Sequence, residues 1–124
     1  MDRPRLKEFT RDGKNFMYID FSDLKTNESF IEVVNTIFPA IIKYPPNSLY
    51  TITNIANVRF DTDTKECVAR YMLFNKPYVK YGAVIGIDGI KKIFASAVFE
   101  QSGRNKMLFA FTKEKAIELL LKKE

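Results

Sequence analysis

The sequence predicts an α/β domain. Its centre is a mixed, mostly parallel sheet of about five strands, opened by an N-terminal antiparallel hairpin and joined by about four helices. Three observations carry this expectation. Stretches of period-two apolarity alternate with stretches of period 3.6 along the chain. The first two strand-like stretches are separated by Asp12-Gly13, a hairpin signal. Each later strand-like stretch is followed by a helix-like one, the arrangement of βαβ crossovers.

Taken in order, "RLKEFTR" and "KNFMYIDF" form the hairpin. In the second strand Phe16, Tyr18 and Asp20 fall on one face, and Met17, Ile19 and Phe21 on the other. Asp20 is expected to be exposed near the strand end. Phe30, Val33, Val34, Ile37, Phe38, Ile41 and Ile42 then recur at helical spacing, predicting a helix over about 28–43. Thr26 or Asn27 caps its start. Pro39 removes an internal N–H, so a bend is expected near Ile37. Pro45-Pro46-Asn47 stops the segment.

"SLYTITNIA" is rich in β-branched residues and predicts an interior strand. A helix over about 63–74 follows, with Val68, Tyr71 and Met72 inward and Cys67 beside them. "YVKYGAVIGI" is the next strand, in which Gly82 and Gly86 imply close packing by a neighbour. Residues 88–103 form the third predicted helix. "KMLFAF" is the final strand, and Thr112 caps a last helix with Ala116, Ile117, Leu119 and Leu120 inward.

The 124 residues suit one domain, 1–124, with its core over about 14–121. Charged residues make up 28% and hydrophobic ones 46%, so the chain has the apolar content to bury a core. No apolar run approaches the roughly 20 residues that span a membrane. "MDRPRLKEFTRDGK" has no apolar segment of the kind a secretory signal needs. Cys67 is the single cysteine, so no internal disulfide forms and a cytoplasmic location is expected.

The net charge of +5 is lopsided. Residues 1–75 carry 10 basic and 10 acidic side chains, whereas residues 76–124 carry 10 and 5. An anionic partner for the second half follows as one reading, a solvated lysine-rich surface as the plainer one. Past Arg59 there are two arginines, Arg70 and Arg104, so nucleic acid is not expected as a partner.

Histidine is absent, which removes His-based triads and imidazole zinc sites. One cysteine cannot build a thiolate cluster, and Cys67 reads as a small apolar residue. "GAVIGIDG" matches neither the dinucleotide nor the P-loop pattern. Gly86, Gly89, Lys91 and Lys92 nevertheless form a candidate anion site, running from a strand end into a helix start. Asp88 is also placed to cap that helix. Asp20, Asp23, Asp61, Asp63 and Asp88 all fall at or beyond strand C-termini, the edge where open α/β sheets build sites. A carboxylate pair there is the weakest reading, because capping alone enriches aspartate at helix starts. No catalytic residue, metal or cofactor is expected.

One loop, "NVRFDTDTKE" at 57–66, sets two acids and two threonines at a helix start. Thr62, Asp63 and Thr64 can each cap the helix. A phosphoryl group on a hydroxyl there would sit at the positive end of the helix dipole. The hairpin, the element order and the Asp61-Thr62 pair resemble a STAS-type (SpoIIAA-like) domain. "MYIDFS", "PPNSLYTITNIANVRFD", "NKPYVKYGAVIGIDGIKKI" and "SGRNKMLFAFTKEKAIELL" are similar to bacterial STAS/SEC14-domain-like proteins of unknown function. The resemblance covers about residues 14–121. It implies a regulatory domain in which Thr62 matches the position phosphorylated in anti-sigma factor antagonists. Antagonists usually follow that position with a small residue and glycine; here Asp63-Thr64-Lys65 follow.

The expected function is therefore a non-enzymatic regulatory or protein-interaction domain. Its partner surface comprises Asp20, Ser22, Arg59, Asp61, Thr62, Asp63 and Thr64. The alternative is a module for a lipid or an anionic metabolite. Homodimerisation through Tyr78, Phe94 or Phe99 is a further expectation.

Overall fold

A computed structural model describes residues 4–59, 62–87 and 107–123. Five strands and three helices lie among these residues: β1 (Leu6–Arg11), β2 (Lys14–Asp20), α1 (Asn27–Ile41), β3 (Leu49–Asn54), α2 (Thr62–Asn75), β4 (Val79–Ile85), β5 (Leu108–Phe109) and α3 (Lys113–Leu121). The helix expected over 88–103 lies outside the described residues. So do Phe94 and Phe99.

The strands form one sheet in the order β1-β2-β3-β4-β5. β1 runs antiparallel to β2, and every later neighbour is parallel. Asp12 and Gly13 carry φ of 54° and 76°, the paired positive values that match a tight turn to strand twist. Because each crossover advances the sheet in the same direction, α1 and α2 fall on one face and pack against each other. α3 follows the last strand and packs on β3, β4 and β5.

Two cores result, one per face. On the α1/α2 side Met17, Ile19 and Phe21 meet Phe30, Val33, Ile37 and Ile41 of α1 and Tyr71 and Met72 of α2. The Phe21 and Phe30 rings stack with centroids 4.5 Å apart, and Tyr71 meets Phe21 edge-on at 5.3 Å. On the α3 side Phe16, Tyr50, Ile52, Ala83 and Ile85 meet Ala116, Ile117 and Leu120. The alternation of β2 therefore sorts its side chains as expected. On the second face the register lines up one aromatic per strand, Phe9, Phe16, Tyr50 and Tyr81. Their centroids are spaced 5.2, 5.3 and 5.7 Å.

Several element ends differ from expectation. α1 stops at Ile41, and Ile42 is 49% exposed instead of inward. The cause is Pro45, which excludes Tyr44 from helical backbone and unwinds the last turn. Thr26 is the cap, its hydroxyl accepting from the Ser29 amide at 3.1 Å. The helix runs through Pro39, whose missing N–H faces an exposed turn where water can serve the Asn35 carbonyl. The last strand is only Leu108–Phe109, and Phe111 beyond it is 94% exposed. Thr112 caps α3 as expected, accepting from Lys115 N. Gly82 is tight: a Cβ there would meet the Met107 sulfur at 2.7 Å.

The loop after α1 is tied to the edge strand. The Tyr44 hydroxyl donates to Glu8 at 2.6 Å. Burial, together with the neighbouring Glu8 carboxylate, pushes the phenol up to about 12. Among the described residues no helix is long and apolar enough to cross a membrane.

Candidate functional site

The C-terminal edge of the parallel strands carries the β2–α1 and β3–α2 loops, and hydrogen bonds zip them together. Phe21 N donates to Asn54 O, Asp23 N to Ala56 O, Ile55 N to Ile85 O and Arg59 N to Leu24 O, all within 2.8–3.2 Å. Strand pairing thus continues past the formal strand ends and makes a rim that cannot shift loop by loop. Asp23 and Asn57 hold φ of 67° and 60°, a region that Asp and Asn tolerate better than most residues. The Asn57 amide donates to the Asp23 carboxylate at 2.9 Å, and Lys25 Nζ donates to Asn57 O at 2.6 Å.

Arg5 locks the β2 end of this rim. It is 6% exposed. Its Nη1 donates to Ser22 O at 2.6 Å and to Asp20 O at 3.3 Å, and lies 3.9 Å from the Asp20 carboxylate. That carboxylate also accepts from Ser22 N at 2.8 Å. Asp20 is half-buried and Ser22 buried, so both are structural ties of the rim rather than the open strand end expected from sequence. Arg5 escapes sequence reasoning because its partners are mainly carbonyl oxygens 15 and 17 residues away.

At the β4 end Gly86 has φ +80°. A Cβ there would lie 2.6 Å from Asn54 Oδ1 and 2.7 Å from Ala56 N. That same Asn54 oxygen accepts from Ala56 N, while its amide donates to the Tyr18 hydroxyl at 3.0 Å. Gly86 is required by this close approach. Gly89, Lys91 and Lys92 lie outside the described residues.

α2 begins at Thr62, so Thr62, Asp63 and Thr64 occupy its first turn instead of its capping position. Asp61 lies outside the described residues. Asp63 and Arg59 are exposed. The structure therefore groups Asp20, Ser22 and Arg59 along the rim, with Thr62 starting the helix that leaves it.

Two hollows flank α2. An apolar cavity of about 30 Å³ lies between the sheet and both helices, lined by Phe21, Phe30, Val58, Tyr71, Met72 and Val84 among others. It has room for little more than a water molecule and none for an acyl chain. A groove of about 170 Å³ runs between α1 and α2, bounded by Ile31, Val34, Cys67, Arg70 and Phe74 among others. Cys67 is half-buried there. Among the described residues no group of three or more Cys, Asp or Glu is placed to hold a metal ion.

Chemically, the rim offers a rigid polar surface and a helix N-terminus. Its buried guanidinium and half-buried carboxylate already serve main-chain groups. Comparison with protein-family models and with curated proteins gave no match for this chain.

Proposed function

We propose that this chain is a non-enzymatic regulatory domain of the STAS, SpoIIAA-like type, docking a protein partner on the rim and on the start of α2. Thr62 is its candidate phospho-acceptor. The observation that carries the reading is the position of Thr62 at the head of a 14-residue helix, directly after a rim braced across three strands. A phosphoryl group adds about two negative charges at the positive end of the helix dipole. Because the rim is braced, the modification changes charge and leaves shape in place, and a partner is gained or lost by electrostatics. Asp63 adds a carboxylate in the same turn and favours a basic partner surface.

Phosphopeptide mapping of the protein from its own cells tests the acceptor. Partner capture with Thr62→Ala and Thr62→Glu tests the switch. The Glu variant should change the yield of a specific partner about tenfold, with the Ala variant behaving as unmodified protein. An unmodified Thr62 in all growth conditions, together with identical capture by both variants, removes the reading.

The groove between α1 and α2 favours a second reading, a small apolar ligand with an anionic head. Ile31 and Phe74 are 46% and 55% exposed there, and Arg70 borders them. Native mass spectrometry and thermal shift against short fatty acids test it. An unchanged melting temperature with Arg70→Ala and with wild type alike removes it.

A further inference from the structure

The hairpin presents two unlike faces. Opposite pairs on the α1/α2 side are Leu6 with Ile19, Glu8 with Met17 and Thr10 with Asn15. On the α3 side they are Lys7 with Tyr18, Phe9 with Phe16 and Arg11 with Lys14. Those six positions interleave three aromatics with three cations and contain no carboxylate.

α3 packs mainly on β3, β4 and β5, its first residues Lys113 and Glu114 reach the hairpin, and Phe9 and Tyr18 keep part of their surface exposed. Phe9 and Tyr18 are half-buried, Lys7 and Arg11 exposed, and Phe16 lies at 0% beneath them. The Phe9 ring stacks on Phe16 with an interplanar angle of 10°, and the Asn54 amide fixes the Tyr18 hydroxyl. Both rings are therefore oriented before any ligand arrives. Lys113 brings a fourth cation, its Nζ 5.1 Å from the Phe9 centroid and 5.0 Å from that of Tyr18. Glu114 approaches Arg11 at 3.8 Å, but this pair is 75% and 44% exposed, weak enough for a phosphate to replace.

We infer that this face binds single-stranded nucleic acid, with bases stacked on Phe9 and Tyr18 and phosphates held by Lys7, Arg11, Lys14 and Lys113. Fixed rings flanked by cations are what a flexible polyanion with flat bases fits. Duplexes keep their bases paired and out of reach of a flat sheet. The arginine count past Arg59 argued against nucleic acid, yet most of these cations come from the first 14 residues. The inference uses none of Asp20, Ser22, Arg59 and Thr62 and is independent of the regulatory reading.

Fluorescence anisotropy of the full chain with labelled 12-nucleotide oligo(U) and oligo(dT) tests it, with heparin as a base-free polyanion. Wild type should bind with a dissociation constant of roughly 1–100 µM at low salt, and a log–log salt slope of roughly −2 to −3. Phe9→Leu keeps an apolar side chain on Phe16 and removes the stacking face. It should weaken oligonucleotide binding about fivefold or more and leave heparin binding unchanged. Lys7→Glu should weaken both. Comparing the two oligonucleotides separates RNA from DNA. The inference is overturned if wild type binds neither oligonucleotide at low salt. It is equally overturned if Phe9→Leu, folded by circular dichroism, binds them as wild type does, since the surface then attracts polyanions alone.

Discussion

The two faces of the sheet differ in how completely they are closed. Two helices of 15 and 14 residues cover the α1/α2 face, and its core reaches from β2 to β4. Among the described residues one nine-residue helix covers the α3 face, mainly over β3 to β5. The hairpin half of that face is finished by aromatics and cations instead. Where a helix does not extend over the whole of a face, side chains that tolerate water on one side can complete it. Stacked rings bury area, and lysine stems lie over them with their charges solvated.

Truncating one ring on each face separates the two most clearly. Phe30 is 2% exposed and touches both Phe21 and Tyr71, so Phe30→Ala should cost about 3–5 kcal/mol in urea unfolding. Phe9→Ala removes a half-buried ring and should cost about 1–2 kcal/mol. Equal losses would mean that the two faces are equally closed. Arg5→Ala comes between them, at about 2–3 kcal/mol, because it removes two hydrogen bonds to rim carbonyls and the cation beside the half-buried Asp20 carboxylate. The same variant should speed hydrogen exchange at the Ser22 amide, which a loss spread over the whole fold would not single out.

Tyr44→Phe is the smallest effect, about 0.5 kcal/mol at neutral pH, read from the same unfolding curves. Its pH dependence has a definite sign. Burial and the Glu8 carboxylate push the folded phenol from its ordinary 10.0 up to about 12. The contribution is therefore fully present below pH 10 and is lost as pH rises from 10 to 12. Wild type should lose stability across that window, and the Phe variant should lose less. Parallel curves would show that the Glu8 contact does not persist in solution.

Elements with a long apolar period were legible in the sequence. The α1 stripe, the Asp12-Gly13 turn and the two faces of β2 all follow from spacing that one segment carries within itself. The Thr112 cap was legible for the same reason, and Thr26 was one of two candidates at the start of α1. Contacts between distant segments were not. Arg5 and Ser22 are 17 residues apart, Tyr44 and Glu8 36, and nothing in either local pattern marks the other. The rim residues were placed at the correct sheet edge, because strand ends can be read from alternation. Their burial was not legible, since it depends on an arginine that precedes the first strand. The start of α2 was misplaced by one residue, which moves Thr62 from a candidate cap into the first turn.

The unbroken order β1 to β5 also bears on how the chain is made. Each new strand pairs with the one just synthesised, so the sheet can grow in the order in which it leaves the ribosome. α3 is the exception, because it turns back onto strands already laid down. Until Ala116, Ile117 and Leu120 arrive, no helix among the described residues lies over Phe16, Tyr50, Ile52, Ala83 and Ile85. A nascent chain stalled before Thr112 therefore carries a nearly complete sheet with a bare apolar face, the species a chaperone would most readily hold.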